Sequence, residues 1–302
     1  MPEVSVIIPT YNYAQFLAES IQSVLQQTYS EFELLVVDDG STDETRRVVA
    51  QFESDPRVRY LFQENRGDAA ARNTGINHTT GRFVAFLDSD DLWLPEKLER
   101  QVRVLQLQPE VSVVYTAIVL LQIDEQRRLP HQPAWREGTL YEELLYRNVI
   151  SGSHSSVMIR RAVFDQVGLF DDAFRISDRD LWRRLAEQHG FHRLDEPLVC
   201  IRKHEDNSSR NKVMMADNHL RYFAKVERDI LPEYRHHLPR VAIWLFTGLT
   251  LGLLRRGKLG VACRTGWMVL SYACRSPDAV TSLMRQWWRG SAAHARLPGD
   301  TP

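Results

Sequence analysis

The stretch that decides the fold is Gly81-Arg82-Phe83-Val84-Ala85-Phe86-Leu87-Asp88-Ser89-Asp90-Asp91-Leu92-Trp93. Its first half is a short apolar run with aromatic and β-branched residues, which is typical of a buried strand. The run then ends on three carboxylates. Ligands of open α/β sheets bind at the carboxyl ends of strands, and clustered carboxylates favour a cation. An Asp-x-Asp at this place therefore predicts a hard divalent ion held against a phosphate.

A solvated turn is the alternative interpretation of the same aspartates. Asp and Ser favour turns and helix N-caps, and Pro95 could open a helix that runs to about Gln106. The motif on its own leaves both interpretations open. The rest of the chain has to decide between them.

Composition bounds the class of protein. The 302 residues are 43% hydrophobic and 25% charged, with a formal net charge of -1, which indicates a globular protein without a general attraction to nucleic acid. Cys200, Cys263 and Cys274 are odd in number and lack C-x-x-C spacing, so neither a disulfide framework nor a zinc site is expected. No signal peptide is evident, and a cytoplasmic location is expected.

Strand and helix patterns alternate through the first hundred residues. Three further strands are predicted at Val4–Pro9, Phe32–Val37 and Val58–Phe62, with helices between them. Alternation with short loops predicts a parallel, doubly wound sheet. The second strand also ends on acids, and the first delivers Tyr11 to the same edge. An aromatic ring and a carboxylate suit a nucleobase, by stacking and by accepting its N–H.

The second half is less regular. The predicted elements are a strand Val111–Ile123, a surface excursion Arg127–Gly138, a helix Leu140–Tyr146, a polar loop from Ser153 entering a strand at Val157–Ile159, a helix Asp178–His189 and a strand Leu198–Ile201. From about Lys212 the pattern becomes continuous helix. This predicts a catalytic domain over 1–211 and a helical region over 212–302, with a loose tail from about 289.

One apolar run, Val241–Leu254, raises the question of a membrane. It falls short of the roughly 18 apolar residues that a span needs and contains two glycines and two threonines. A buried helix is therefore predicted, with an interfacial helix as the alternative because arginines and tryptophans follow. The favoured expectation is a soluble protein that associates at most weakly with the inner face of a membrane.

Several motifs accompany the acidic stretch in a fixed order. They are Val4-Ser-Val-Ile-Ile-Pro-Thr-Tyr-Asn12, Val36-Val-Asp-Asp-Gly-Ser-Thr-Asp43, Asn65-Arg-Gly67, Ala71-Arg-Asn73 with Gly75, Gly168-Leu-Phe-Asp171 and Ser177-Asp-Arg-Asp-Leu-Trp182. With them, the chain from Val4 to about Ser209 resembles the inverting family-2 glycosyltransferases. The resemblance implies an α/β fold of the GT-A nucleotide-diphospho-sugar type, Rossmann-like, with a mostly parallel sheet, helices on both faces and a C-terminal helical appendage.

The resemblance also implies roles for individual residues. Asp178 would be the catalytic base, and Asp90 with His204 would bind Mn2+ or Mg2+. The base of the nucleotide would lie between Pro9, Tyr11 and Asp39. The residues implied for the nucleotide-sugar donor as a whole are Pro9, Tyr11, Asp39, Asn65, Arg72, Asp88 and Ser89.

Plainer roles remain open for several of these residues. Asp178 could cap its helix, and His204 could be a solvated histidine. Tyr11 could be surface packing, and Arg72 could lie along its helix. One departure from the family also matters: Ser177 stands where the family usually has Glu before the base, so an acidic neighbour that could tune the base or bind the acceptor is missing.

The expected activity is metal-dependent, inverting transfer of a sugar from a nucleotide-diphospho-sugar, with UDP as the expected nucleotide, to a hydroxyl of a saccharide, lipid-linked or other acceptor. A dinucleotide-dependent oxidoreductase is disfavoured, because the first strand leads into Pro9-Thr-Tyr-Asn12 instead of Gly-x-Gly-x-x-Gly. A catalytically degenerate scaffold is the other alternative. A serine nucleophile at Ser153-His154-Ser155 lacks the Gly-x-Ser-x-Gly elbow.

Overall fold

A computed structural model describes residues 2–122, 127–131, 140–150, 153–173, 177–204, 212–276 and 278–281. The chain divides into two compact units, Met1–Asn207 and Ser208–Pro302. The predicted loose tail from about residue 289 lies outside the described residues.

A single sheet organises the first unit. Its first four strands are β1 (Val4–Thr10), β2 (Phe32–Asp38), β3 (Val58–Phe62) and β4 (Phe83–Phe86), and they pair in parallel in the order β3-β2-β1-β4. β1 and β4 are buried throughout, and β2 nearly so, which agrees with their unbroken apolar sequences. The parallel, doubly wound arrangement predicted from the sequence is confirmed for this half.

The other half of the sheet is mixed. Its strands are β5 (Leu92–Trp93), β6 (Val111–Gln122), β7 (Arg127–His131), β8 (Val157–Arg160) and β9 (Gly190–Lys203). β4 pairs antiparallel with β8, and β8 pairs antiparallel with β6. β6 pairs in parallel with β9 and antiparallel with β7, and β9 pairs antiparallel with β5.

Helices cover both faces of the sheet, as expected. The described helices of this unit are α1 (Ala14–Leu25), α2 (Thr45–Ala50), α3 (Asp68–Asn77), α4 (Lys97–Leu107), α5 (Leu140–Tyr146), α6 (Phe164–Val167) and α7 (Ser177–Ala186). Alternate side chains of one strand pack in the two layers: Val6 packs in the layer of α1 and α4, and Ile7 packs in the layer of α3, α5 and α7.

Three sequence predictions need correction. The excursion predicted for Arg127–Gly138 begins with a strand, β7, in which Pro130 lies opposite Val119. β7 pairs only with β6 among the described residues, and proline is tolerated on such an edge strand. The strand predicted at Leu198–Ile201 is only the end of the 14-residue β9, whose earlier half is too polar to be recognised. Ser153–Ser156 forms a short 3-10 helix instead of a loop.

In the part of the second unit that the structure describes there are three long helices: α8 (Lys212–Asp229), α9 (Leu238–Leu254) and α10 (Leu259–Arg275), with a 3-10 turn at Pro232–His237. Phe223 of α8 lies at its centre, with ring centroids 5.5 Å from Phe246 of α9 and 5.4 Å from Tyr272 of α10. Thr250 and Thr265 join α9 to α10 through a 2.7 Å hydroxyl hydrogen bond.

One helical segment among the described residues, Pro232–Leu254, is long and apolar enough to cross a membrane by length and composition, and 44% of its most apolar window is buried within the protein. The apolar run that the sequence predicted to be too short to span a membrane comprises only residues 241–254. The 3-10 turn and the first residues of α9 extend the segment to 23 residues.

Candidate active site

The ends of β1, β2 and β4 meet at one edge of the sheet. Thr10 pairs with Asp38, and Ile7 pairs with Phe86, so the residues that follow each strand emerge side by side. Proline has no backbone N–H to donate to a neighbouring strand. Pro9 is tolerated in β1 because β4 already ends at Phe86, so no residue of β4 pairs with Pro9. Pro9 is buried within β1, which continues to Thr10 instead of ending at the proline.

Asp39 fastens the segment after β3 to this edge. One carboxylate oxygen accepts hydrogen bonds from Gln63 Nε2 at 2.7 Å and from the Arg66 N–H at 2.9 Å, and the other accepts from the Gly67 N–H at 2.8 Å. A carboxylate has about four acceptor positions, so this side chain is largely engaged by the protein. Asp39 therefore shapes the wall of the candidate nucleotide pocket.

The neighbouring Asp38 is engaged in the same way. Its carboxylate accepts the Ser41 N–H and the Tyr60 hydroxyl, each at 2.8 Å. Burial and this acidic partner raise the pKa of Tyr60 well above its usual value, so the phenol remains a donor. Sequence analysis gave Tyr60 no role, because it lies within an ordinary strand pattern.

Two loops form the rim of the pocket where the base was predicted. The side chain of Tyr11 is 46% exposed at the end of β1. The next residue, Asn12, has a φ of 55° and accepts the Thr42 N–H at 2.8 Å, which ties the loop to that of β2. Asn65 is exposed on the facing segment, and a Cβ on Gly40 would lie 2.9 Å from its backbone nitrogen. These contacts bring the predicted donor residues Tyr11, Asp39 and Asn65 into one region.

Arg72 is buried and forms ion pairs with Asp68 on its own helix and with Asp88 after β4. Burial raises the pKa of Asp88 to about 6, against the opposing effect of Arg72 and with a further contribution from the Asp90 charge. The structure thus joins two predicted donor residues. Arg72 does lie along its helix to reach Asp68, but it is buried and also reaches Asp88, so its contacts extend beyond that helix.

Asp90 and His204 are in direct contact. His204 Nε2 lies 2.9 Å from Asp90 Oδ2, although the two residues are 114 positions apart in the chain. The imidazole is mostly buried and packs against Phe16 and Tyr13, with ring centroids 4.9 and 5.7 Å away. His204 is therefore not a solvated histidine, and the predicted pair of metal ligands lies together at the end of β9.

Asp91 faces the protein interior. Its carboxylate accepts the Ser155 hydroxyl at 2.6 Å and the backbone N–H of Arg202 at 3.2 Å. The Ser155 hydroxyl also accepts the Asp88 N–H at 3.0 Å, so one side chain holds both ends of the acidic turn. Ser89 is buried beside it, and its carbonyl accepts the Ser20 hydroxyl at 2.8 Å. Burial raises the pKa of Asp91.

These bonds define the acidic turn as a structured element, in contrast to the solvated turn left open by the sequence. Ser155 is fully buried, which removes it as an exposed nucleophile. Sequence reasoning missed its true role, because its partners lie 64 and 67 residues away and come close only through the pairing of β4 with β8.

Asp178 lies in the first turn of α7, where its negative charge also favours the helix. Asn148 donates from Nδ2 to Asp178 Oδ2 at 2.8 Å and accepts the Ile150 N–H through its Oδ1 at 3.0 Å. Trp182, one helical turn further on, packs against His154, which in turn packs against Phe86 at the end of β4. This aromatic chain connects α7 to the strand that carries the acidic turn.

Among the described residues, no group of three His, Cys, Asp or Glu side chains could hold a metal ion alone. The donor set here is one carboxylate and one imidazole, with Asp88 two residues away. Carboxylates suit magnesium and manganese, whose coordination phosphate oxygens and water then complete. The residues present therefore fit an ion that is bound together with a diphosphate.

Known proteins resemble this chain in sequence and in fold. Residues 5–168 match the model of glycosyl transferase family 2. TuaG of Bacillus subtilis, a putative teichuronic acid biosynthesis glycosyltransferase, is 34% identical over 75% of this chain and 89% of its own length. WfgD of Escherichia coli, a UDP-Glc:alpha-D-GlcNAc-diphosphoundecaprenol beta-1,3-glucosyltransferase, is 49% identical over 37% of this chain and 44% of its own.

Some curated relatives are much longer. An uncharacterized glycosyltransferase of Rickettsia felis is 34% identical over 66% of this chain, and the match spans only 33% of the relative.

Solved structures share the fold. S. aureus TarS in complex with UDP-GlcNAc aligns with a TM-score of 0.64 at 19% identity, over 93% of this chain and 82% of that chain. The mannosyltransferase PcManGT from Pyrobaculum calidifontis, in complex with GDP-Man and Mn2+, aligns with a TM-score of 0.59 at 22% identity, over 98% and 81%. With a family match over more than half of its length and a GT-A sheet that ends on the predicted acids, the chain belongs to glycosyl transferase family 2.

Proposed function

We propose that the protein is a metal-dependent, inverting glycosyltransferase that moves a sugar from a nucleotide-diphospho-sugar to an acceptor hydroxyl. The observation that carries the proposal is the contact between Asp90 and His204 beside the Arg72–Asp88 ion pair, at the edge where parallel strands bind ligands. This edge brings Asp90, His204 and the buried Arg72 together around the acidic turn, where the first two would bind the metal.

A nucleotide fits the region between the loops after β1 and β2. The exposed ring of Tyr11 would stack on the base, and the rim held by Asp39 would supply polar partners. UDP is our proposed nucleotide, because WfgD and TarS are described with UDP-sugars, although PcManGT is described with GDP-Man. Asn65, Arg72, Asp88 and Ser89 complete the donor site.

The proposed ion is Mn2+ or Mg2+, held by Asp90 and His204. When bound, it would stabilise the negative charge that develops on the departing nucleoside diphosphate. Asp90 supplies a carboxylate oxygen, and packing on Phe16 fixes the imidazole of His204. The buried Arg72 holds the Asp88 carboxylate in place.

Asp178 is the proposed catalytic base. An acceptor hydroxyl is a weak nucleophile until a carboxylate takes its proton during attack. A single in-line displacement then inverts the anomeric carbon and forms no covalent intermediate on the protein. Asn148 holds one oxygen of this carboxylate in a fixed position.

Polysaccharide, glycolipid or glycoconjugate synthesis is the proposed setting. The relatives described for teichuronic acid and for a diphosphoundecaprenol acceptor support a saccharide or lipid-linked acceptor. The cytoplasm is the proposed compartment, since Cys200, Cys263 and Cys274, all within the described residues, form no disulfide.

The test is calorimetric titration with a panel of nucleotide-sugars, with and without manganese. The wild-type protein should bind one donor tightly only with the metal, and Asp90→Ala should lose that dependence. Asp195→Ala, at an exposed position of β9, is the matched control and should bind as wild type. Equal donor affinity with and without manganese in the wild-type protein would contradict the proposed metal dependence. Donor binding without transfer of sugar to any acceptor would favour a catalytically degenerate scaffold.

A further inference from the structure

The second unit presents an apolar stripe on the outside of α10. Trp267 is 70% exposed and Leu270 is 61% exposed. The exposed positions that recur at intervals of three and four residues, and therefore share one helix face, are Leu259, Cys263, Trp267, Leu270 and Cys274. None of these side chains is charged, whereas the solvent-facing side of an ordinary surface helix is rich in charged and polar residues.

α9 presents a similar stripe. Its exposed positions at helical spacing are Trp244, Thr247, Gly248, Leu251 and Leu254, preceded by Arg240. Arg255, Gly257 and Lys258 connect α9 to α10 in a short turn, so the two helices form an antiparallel hairpin.

Both stripes lie on the same side of this hairpin. α9 turns Phe246 and Leu253 toward α8, and α10 turns Tyr272 and Ala262 toward it. In each helix these residues lie on the face roughly opposite the exposed stripe, given 3.6 residues per turn. The two stripes therefore form one continuous apolar surface on the side away from α8, which we call the hairpin face.

The charges around the hairpin face indicate the kind of surface that it binds. No Asp or Glu occurs from Pro239 to Pro277, although the whole chain carries a net charge of -1. The basic residues of this segment are all exposed: Arg240, Arg255, Arg256, Lys258, Arg264 and Arg275. Arg264 pairs with Asp217 of α8 at 3.3 Å. Exposed tryptophans and leucines beside a cluster of exposed basic residues are the pattern of helices that lie in the plane of an anionic bilayer.

We propose that the hairpin face docks on the surface of an anionic lipid bilayer, with Trp244 and Trp267 at the level of the headgroups. The basic residues attract the acidic lipids, and the apolar stripe enters the boundary between headgroups and acyl chains. This goes beyond sugar transfer and does not depend on it, since no residue of the catalytic unit takes part.

Co-sedimentation of the full chain with vesicles tests the proposal. Vesicles of phosphatidylcholine with about a third phosphatidylglycerol should pellet the protein at physiological salt, and pure phosphatidylcholine should not. Arg255→Gln/Arg256→Gln/Lys258→Gln should lower the partition coefficient about a hundredfold, at roughly fivefold for each charge. The control Arg46→Gln/Arg47→Gln/Arg82→Gln removes the same charge from exposed sites on the catalytic unit. It should change the partition coefficient less than threefold, which is about the effect of half a basic residue at the membrane surface.

The apolar component has its own variant pair. Trp267→Ser/Leu270→Ser should weaken vesicle binding at least tenfold, since about two large apolar side chains no longer enter the interface. Leu107→Ser, at a leucine 69% exposed on the catalytic unit, is the control and should bind as wild type. Circular dichroism confirms folding of each variant.

Three results would overturn the proposal. Unchanged vesicle binding in both hairpin variants excludes this face. Loss of a dimer in the Trp267→Ser/Leu270→Ser variant, by sedimentation velocity, would assign the face to a second copy of the chain. Equal binding to neutral vesicles that also resists carbonate extraction would mean that Pro232–Leu254 inserts across the bilayer instead of lying on it.

Discussion

At the scale of single residues, the proposed chemistry depends on the carboxylate of Asp178. Asp178→Asn should leave the dissociation constant of the donor unchanged and lower turnover about 10²–10⁴-fold, because an amide cannot accept the proton of the acceptor. Calorimetry and a transfer assay measure the two quantities. Asp195→Asn, at an exposed position, is the matched control. If Asp178→Asn turns over at the wild-type rate, then Asp178 is not the base, and its charge only stabilises the first turn of α7.

Asn148 should act as a positioning residue for that base. Its amide orientation is fixed, because Oδ1 accepts the Ile150 N–H and Nδ2 must then face Asp178. Asn148→Ala should lower kcat roughly tenfold with little change in the KM for the donor, since a displaced base loses alignment.

Asn148→Asp distinguishes positioning from a purely structural role. It places a second carboxylate against Asp178, and two neighbouring carboxylates hold protons more tightly than one. The acid limb of the kcat profile should therefore move to higher pH. A fall in melting temperature with an unmoved profile would show that Asn148 only supports the fold.

At the scale of elements, the acidic turn owes its shape to the start of β8. Ser155→Ala removes the hydroxyl that joins Asp88 to Asp91, so the unfolding free energy should fall by about 1–3 kcal/mol. Metal-dependent donor binding should weaken as well, because Asp90 lies within the same turn. Urea denaturation and calorimetry measure the two effects.

Ser5→Ala is the control for this prediction. Ser5 is equally buried, and its hydroxyl also has protein partners, namely Glu33, Gly81 and Arg161, but it lies at the opposite end of the sheet. It should lower stability to a similar extent and leave donor affinity unchanged. If both variants weaken donor binding alike, then general loosening of the sheet is the cause and the turn has no special dependence on Ser155.

At the scale of the whole molecule, one buried histidine makes stability depend on pH. Burial, with a smaller contribution from Arg72, lowers the pKa of His154 well below its usual value. Below about pH 6.5 the unfolded chain takes up a proton at this residue and the folded chain does not, so stability falls as the pH falls. This residue should cost about 1.4 kcal/mol by pH 5.5.

His154→Phe should reduce that loss, because phenylalanine cannot titrate and can keep the packing on Phe86 and Trp182. Urea denaturation at pH 7.5 and pH 5.5 gives the comparison. An equally steep loss in the variant would place the pH dependence on other groups.

The sequence predicted the parallel half of the sheet, because β1, β2 and β3 are short, largely apolar runs between turn residues, and their boundaries were predicted to within one residue. It also predicted which strands end on acids. It missed Ser155 and Asn148, since their contacts depend on how β8 and α5 are placed and no local pattern records that placement. β7 was missed because its proline and charges resemble a loop until β6 lies beside it.

The distance along the chain between Asp90 and His204 has a consequence for synthesis on the ribosome. The 114 residues between them take about 6 to 23 s to make at roughly 5–20 residues per second. During that interval β5 has no β9 to pair with, and Asp91 lacks the backbone N–H of Arg202. A nascent chain that already carries the acidic turn therefore cannot hold the proposed ion as the finished protein would. In the proposed function, β9 is the last described strand of the sheet to be translated, and the residue that follows it would complete the metal site.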